Sequence, residues 1–289
     1  MEDVVVVDGS DDGIFDVHAR RWRPAVRHVR PHGDLRFASG KVNGVISGVR
    51  EASCERLIVA DDDVRYDDAS LRRMLRLLEA ADVVCPQNHF DPLPWHAVWD
   101  TGRILIARAV GHDMPGTLGV RRARFLEMGG YDGDVLFENL ELLRTVRAAG
   151  GRVVAPRDLY VRRLPPTAAH FWSQRVRQAY DEFARPLRMA AALALLPAVA
   201  ASRRPAAAAA AVAALAVAAA EGGRRRAGGR RVFPARTSLA APAWVAERAV
   251  CAWLAVGLRA LRGGVPYGGT VMRRAATPSR RLRRARARS

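Results

Sequence analysis

Leu57-Ile58-Val59-Ala60-Asp61-Asp62-Asp63-Val64-Arg65-Tyr66-Asp67 decides how this chain is read. An apolar run stops abruptly at three adjacent carboxylates, and a helical pattern from Ala69 to Ala81 follows. Continuous apolar runs mark strands buried on both faces of an α/β sheet. Ligands in such folds collect beyond the carboxyl ends of the strands. The pleat of an extended chain predicts Asp61 and Asp63 on one side, with Asp62 facing the other. Two neighbouring carboxylates repel unless a cation lies between them. Hard oxygen ligands of this kind suit Mg2+ or Mn2+ carrying a substrate's phosphates. The alternative is a solvated acidic turn.

Toward the amino end, Val4-Val5-Val6-Val7 runs into Asp8-Gly9-Ser10-Asp11-Asp12-Gly13, a buried strand followed by a tight turn. Residues 17–29 are too rich in arginine to assign. Gly40 to Ala52 has the apolar spacing of a helix that packs on a sheet. Beyond the acidic triplet come a helix over Leu71–Ala80, a strand over Val83–Pro86, and a strand, helix and glycine stop over 119–132. A helix opening near Leu136 ends at Gly150-Gly151, and a strand over Arg152–Ala155 follows. This alternation predicts an α/β fold with a mostly parallel sheet and crossover helices on both faces. Residues 87–118 read as loop-rich. Trp95 and Trp99 there form either a sugar-stacking wall or a plug in the core, and His89, His96 and His112 lack metal-ligand spacing. Glu138 and Glu141 stand three apart and share a helix face. They are either candidate bases or carboxylates placed favourably at a helix N-terminus.

A chain of 289 residues buries a full core with room for an appendage. Its 47 basic and 29 acidic side chains leave a net charge of +18, and Lys41 is the sole lysine. Three scattered cysteines argue against a disulfide scaffold or a zinc site and for reduced thiols in the cytosol. No secretory signal is expected, because the chain opens with acidic residues and valines. From Met189 the composition changes: 189–201 and 206–220 are uncharged and apolar, with Arg203 and Arg204 between them. Each half is shorter than the about 20 residues of a spanning helix. A re-entrant hairpin, an interfacial pair and a soluble Ala-rich hairpin all satisfy the pattern. Flanking arginines predict that both ends stay cytoplasmic, and Trp244–Leu261 suits an interfacial amphipathic helix. The Arg280–Arg288 tail is expected to be solvated and disordered. Its arginines lack the interleaved aromatics of a nucleic-acid reader, so an anionic membrane is the expected partner and nucleic acid is not. The organisation expected is a catalytic domain over 1–185, a membrane-associated helical region over 186–262 and a basic tail over 263–289.

Val4–Ser10, Gly40-Lys41, Asp61-x-Asp63 and Gly129-Gly130-Tyr131-Asp132 followed by Glu138 occur in the order found in family 2 glycosyltransferases, and residues 3–185 resemble their GT-A fold. Gln174-Arg175-Val176-Arg177-Gln178 is similar to the Gln-x-x-Arg-Trp segment of membrane-bound members. The resemblance implies a Rossmann-like domain and inverting transfer of a sugar from a nucleotide-diphosphate donor to a lipid or polysaccharide acceptor at the cytoplasmic membrane face. It implies that Asp8 holds the base or ribose, with Lys41 near the nucleotide. Asp61 and Asp63 would bind Mg2+ or Mn2+ and the diphosphate, and Gln174 and Arg177 would line the channel. Glu138 is the expected base, with Glu141 second. Three departures stand out. The family's first strand–helix unit has no counterpart before Val4, its Glu-Asp pair reads Glu138-Asn139, and its Trp is Gln178. A catalytically inert membrane-associated relative is therefore the rival expectation, and a basic nucleic-acid-binding protein a more distant one.

Overall fold

The computed structural model describes residues 3–22 and 25–287. Positions 23 and 24 of the unassigned segment and Arg288 of the expected tail lie outside the described residues. In chain order the elements begin with β1 (Val5–Val7), α1 (Asp12–Trp22), β2 (Arg27–Val29), α2 (Gly40–Glu51), β3 (Arg56–Ala60) and β4 (Val64–Arg65). Next come α3 (Asp68–Leu77), β5 (Val83–Val84), β6 (Gln87–Phe90), α4 (Trp95–Val110), β7 (Thr117–Arg121), α5 (Arg122–Glu127) and α6 (Glu138–Ala148). They continue with β8 (Val153–Val154), β9 (Tyr160–Arg163), α7 (Ala168–Ser173), α8 (Arg175–Tyr180), α9 (Pro186–Ala200) and α10 (Pro205–Arg225). The chain closes with α11 (Arg236–Leu239), α12 (Ala241–Arg262), β10 (Val265–Tyr267), β11 (Thr270–Met272) and α13 (Ser279–Arg286).

Four strands in the order β3-β7-β5-β8 form the central sheet. The sheet is mixed, not mostly parallel, because β7 runs antiparallel to both β3 and β5 while β5 and β8 run parallel. Strand alternation sets the two faces. Val83, Leu57 and Val59 pack with Val42 and Ile46 of α2 and Leu143 of α6, whereas Val84 and Ile58 pack with Met74 and Leu78 on the α3 side. Local chemistry starts these helices where they are needed. The Ser70 amide donates to Asp67 Oδ1 at 2.7 Å, closing a capping box at α3, and Ser39 caps α2. Strands β1 and β2 pair in parallel as a separate two-stranded sheet, and β4-β9-β6 form a third.

Two expectations are corrected here. Residues 87–118 hold β6 and the 16-residue α4. Pro92 and Pro94 give the segment a loop-like signature, yet Pro94 only sets the extended N-cap of the helix. The described part of the Arg280–Arg288 tail is helical up to Arg286, within α13, though none of its residues is buried; ahead of it β10 and β11 make an antiparallel hairpin. The Leu136 and Phe137 amides donate to the Arg274 and Ala275 carbonyls at 2.9 and 2.8 Å. The Thr277 amide donates to the fully buried Glu141 carboxylate at 2.6 Å.

Helices α9–α12 pack directly on the α/β part. Ala216 and Ala220 of α10 meet Ile104 and Leu105 of α4, and Ala252 and Ala255 of α12 meet Ala179 and Tyr180 of α8. Small residues allow this approach. A Cβ on Gly223 would fall 1.9 Å from the Leu105 carbonyl oxygen. The C-terminal end of α10 is then held by buried Arg108, which donates to the Gly223 and Arg226 carbonyls at 3.4 and 2.9 Å and to Gln87 Oε1 at 3.0 Å. Gly223→Ala should therefore cost about 3 kcal/mol or more, as overpacking at a backbone contact does. Thermal or urea unfolding measures it, and an unchanged midpoint would refute the packing described.

Candidate active site

The acidic triplet lies just past the end of β3, and its side chains are brought together by a turn. The Val64 amide donates to the Asp61 carbonyl at 3.2 Å, so the chain reverses through Asp62 and Asp63 into β4. Convergence of Asp61 and Asp63 thus arises from the turn, where the sequence reading assigned it to the pleat. Arg163 at the end of β9 meets both carboxylates, with Nε 2.7 Å from Asp63 Oδ2 and Nη2 3.6 Å from Asp61 Oδ2. Lys41, in the first turn of α2, places Nζ 2.7 Å from Asp61 Oδ1 and 2.9 Å from Glu138 Oε1. The cations that offset the carboxylate repulsion are therefore side chains of the protein itself. These five side chains are between 18 % and 29 % exposed, so they remain open to a ligand.

Close backbone approach completes the site. Gly116 precedes β7, and a Cβ there would sit 2.8 Å from Asp61 Oδ2 and 3.0 Å from the Arg163 guanidinium carbon. The Gly116 amide donates to Asn88 Oδ1 at 2.7 Å, and the Asp61 amide donates to the Gly116 carbonyl at 2.9 Å. Burial acts to lower the Lys41 ammonium, but the charges of Glu138 and Asp61 outweigh it and hold that group above its ordinary value. Burial, reinforced by Glu138 and Asp61, pushes the Tyr131 phenol well up, so it stays protonated.

The structure brings Lys41, Asp61, Asp63 and Glu138 together and disposes the other sequence candidates differently. Asp8 belongs to its own cluster: Oδ2 lies 2.8 Å from His18 Nδ1 and 3.0 Å from His28 Nε2, and Oδ1 accepts from the Ser10 amide. Burial alone would raise this carboxyl, yet the bonds from Ser10, His18 and His28 prevail and hold it well below the usual range. Glu141 is turned inward to Thr277 and fully buried. Asn139 donates to the Pro115 carbonyl at 3.0 Å. Arg177 lies over the Tyr267 ring at 5.1 Å, and the Gln174 Oε1 atom is buried with no partner among the described residues. Trp95 and Trp172 are about half exposed and meet Phe171 edge-on. For Trp95 and Trp99 the sequence left a wall and a core plug open; both rings join Phe171 and Trp172 in one aromatic cluster.

Sequence reasoning missed Arg163, Tyr131 as a group facing the carboxylates, and Asp181. Asp181 follows α8, and its Oδ1 is buried with no partner among the described residues. Burial, with the Glu138 charge next, pushes it up to about 8 against the pull of Arg177 and Arg248. An acid raised in this way holds a proton in the folded chain that the unfolded chain gives up at lower pH. Stability therefore declines as pH climbs from about 4 to about 8 and levels off above. Asp181→Asn removes that decline and should melt increasingly higher than the parent as pH approaches 8, by on the order of a few kcal/mol. Parallel melting curves for the two proteins across that range would contradict the assignment.

No family model matches this chain, and no curated protein matches it. Among solved structures it is similar to the mannosyltransferase PcManGT from Pyrobaculum calidifontis, determined in complex with GDP-Man and Mn2+. The TM-score is 0.52 at 22 % identity, over 87 % of this chain and 77 % of that one. At this identity the likeness establishes a shared fold with that protein.

Proposed function

We propose that this protein is a nucleotide-sugar-dependent glycosyltransferase. It would invert the anomeric centre and transfer to a lipid or polysaccharide acceptor at the cytoplasmic face of the cell membrane. The observation that carries the proposal is the convergence of Asp61, Asp63, Lys41, Glu138 and Arg163 beyond the end of β3, on a fold shared with a mannosyltransferase.

Mg2+ or Mn2+ fits this donor set as a substrate-borne ion. Asp63 Oδ1 is buried with no partner among the described residues. Among the described residues no group of three or more His, Cys, Asp or Glu is placed to hold a metal ion by itself, so the remaining ligands would be phosphate oxygens and water, the usual mode for Mg2+. When bound, the ion neutralises charge on the departing diphosphate. Asp61 and Asp63 would hold it, and Lys41 and Arg163, which bond these carboxylates here, would donate to the phosphate oxygens. Glu138, anchored through Oε1 to Lys41, takes the proton of the acceptor hydroxyl. Tyr131 remains a protonated phenol beside these carboxylates.

Membrane association is supported by two helical stretches, Pro205–Arg231 and Arg236–Arg262, that are long and apolar enough to cross a bilayer, with only 17 % and 39 % of their apolar windows buried. Leu187, Leu215 and Leu261 stand exposed on these helices and α9. Shorter α9, with Arg203 and Arg204 at the turn into α10, suits a hairpin that enters one leaflet and returns. Flotation of the full chain with vesicles of mixed phosphatidylcholine and phosphatidylglycerol reads this directly. A chain that stays at the bottom of the gradient argues for a water-soluble acceptor.

Glu138→Gln should lower turnover by roughly 10²–10⁴-fold, the contribution of a positioned base, and Asp63→Asn should abolish Mn2+-dependent release of nucleotide from GDP-mannose or UDP-sugars. Full turnover in Asp63→Asn would remove the metal role. The rival reading, an inert relative, draws on Asp8 being engaged by His18 and His28. Calorimetric titration with GDP or UDP and Mn2+ separates the two, since an inert chain takes up neither.

A further inference from the structure

A cavity of about 320 Å³ opens between the β6–α4 connection and the segment that joins α10 to α11. Arg231 and Arg236 line one side, His89 another, and Phe90, Leu93 and Phe233 give it an apolar wall. Neither guanidinium has a hydrogen bond or ion pair with any described residue. The lining carboxylate, Asp91, is already taken: Arg162 Nε lies 3.2 Å from its Oδ2. Burial lowers the His89 imidazole and keeps it neutral near pH 7, and its buried Nδ1 has no partner among the described residues. Two uncommitted guanidiniums beside a neutral imidazole favour an anion with several acceptor oxygens.

The position narrows the chemistry. Phe90 stands opposite Arg163 in the register of β6 and β9, so the cavity wall is one strand spacing, about 4.8 Å, from the strand whose arginine holds Asp61 and Asp63. Arg231 and Arg236 also bound the short connection between the two apolar helical stretches, beside Leu239, which is 69 % exposed. We propose that this cavity binds a phosphate group, and that its apolar wall and its place between the apolar helices select one carried on a lipid chain. Resting on the glycosyltransferase reading above, this makes the cavity the subsite for a phosphate-headed acceptor lipid.

Calorimetric titration of the full chain with dodecyl phosphate, and separately with inorganic phosphate, tests it. No nucleotide or divalent cation is present, so the outcome is independent of the donor-site reading. Dodecyl phosphate should bind, and Arg231→Ala/Arg236→Ala should weaken it about tenfold or more, with Arg231→Lys/Arg236→Lys weakening it less, because Lys keeps the charge but loses the fork. Tighter binding of dodecyl phosphate than of inorganic phosphate assigns the site to a lipid. Equal affinities keep the phosphate site but assign it to a soluble ester. No binding by the parent chain, or equal binding by a double-alanine variant with an unchanged melting curve, overturns the proposal.

Discussion

One guanidinium holds the centre of this protein together. Arg163 reaches from β9 to both carboxylates of the turn that follows β3. Without it Asp61 and Asp63 would face each other at the mouth of a sheet with only Lys41 to offset them. The pairing also joins two sheets, because β3 belongs to the central one and β9 to the smaller three-stranded one. Position and charge balance are thus set by a single long side chain, and Gly116 leaves the space it needs. Lys41 extends the same alternation of charge to Glu138, so carboxylate, cation and carboxylate follow one another from one side of the cleft to the other.

Around this core the C-terminal helices belong to the fold as much as to any surface they cover. Arg108 inserts from α4 under the last turn of α10 and takes up carbonyls that a helix end leaves unsatisfied. Arg175, buried on α8, pairs with Asp100 at 3.2 Å and with Glu247 of α12 at 3.5 Å. Buried charge of this sort is costly unless paired, so the helices and the α/β part constrain each other's placement. Their outward faces carry the exposed leucines and Trp253.

The acidic triplet, the helix over Gly40–Glu51 and the strand–helix alternation were legible because apolar periodicity and capping residues are local signals. Lys41 stood out as the sole lysine, and it does meet Asp61 and Glu138. What escaped depends on distance along the chain. Arg163 is one arginine among many, and nothing near it announces that its partners lie 100 residues away. Glu141 stood as the second candidate base because it shares a helix face with Glu138, yet a backbone amide 136 residues downstream decides that it is internal. The Arg280–Arg288 end looked disordered by composition, but residues 274–277 just ahead of it are held by Leu136, Phe137 and Glu141, and Arg286 donates to the Met128 carbonyl at 2.6 Å.

That closing segment bears on how the protein is made. Residues 274 and 275 supply the carbonyls that fix the backbone just ahead of Glu138, and they are synthesised long after it. Domains fold largely as their residues emerge, so the β3 turn, Lys41 and Arg163 can assemble while synthesis continues. The strap over α6 cannot. A nascent chain therefore holds its carboxylate cluster in an unfinished geometry until residues 274–277 have emerged, and that segment fastens the site from far along the chain.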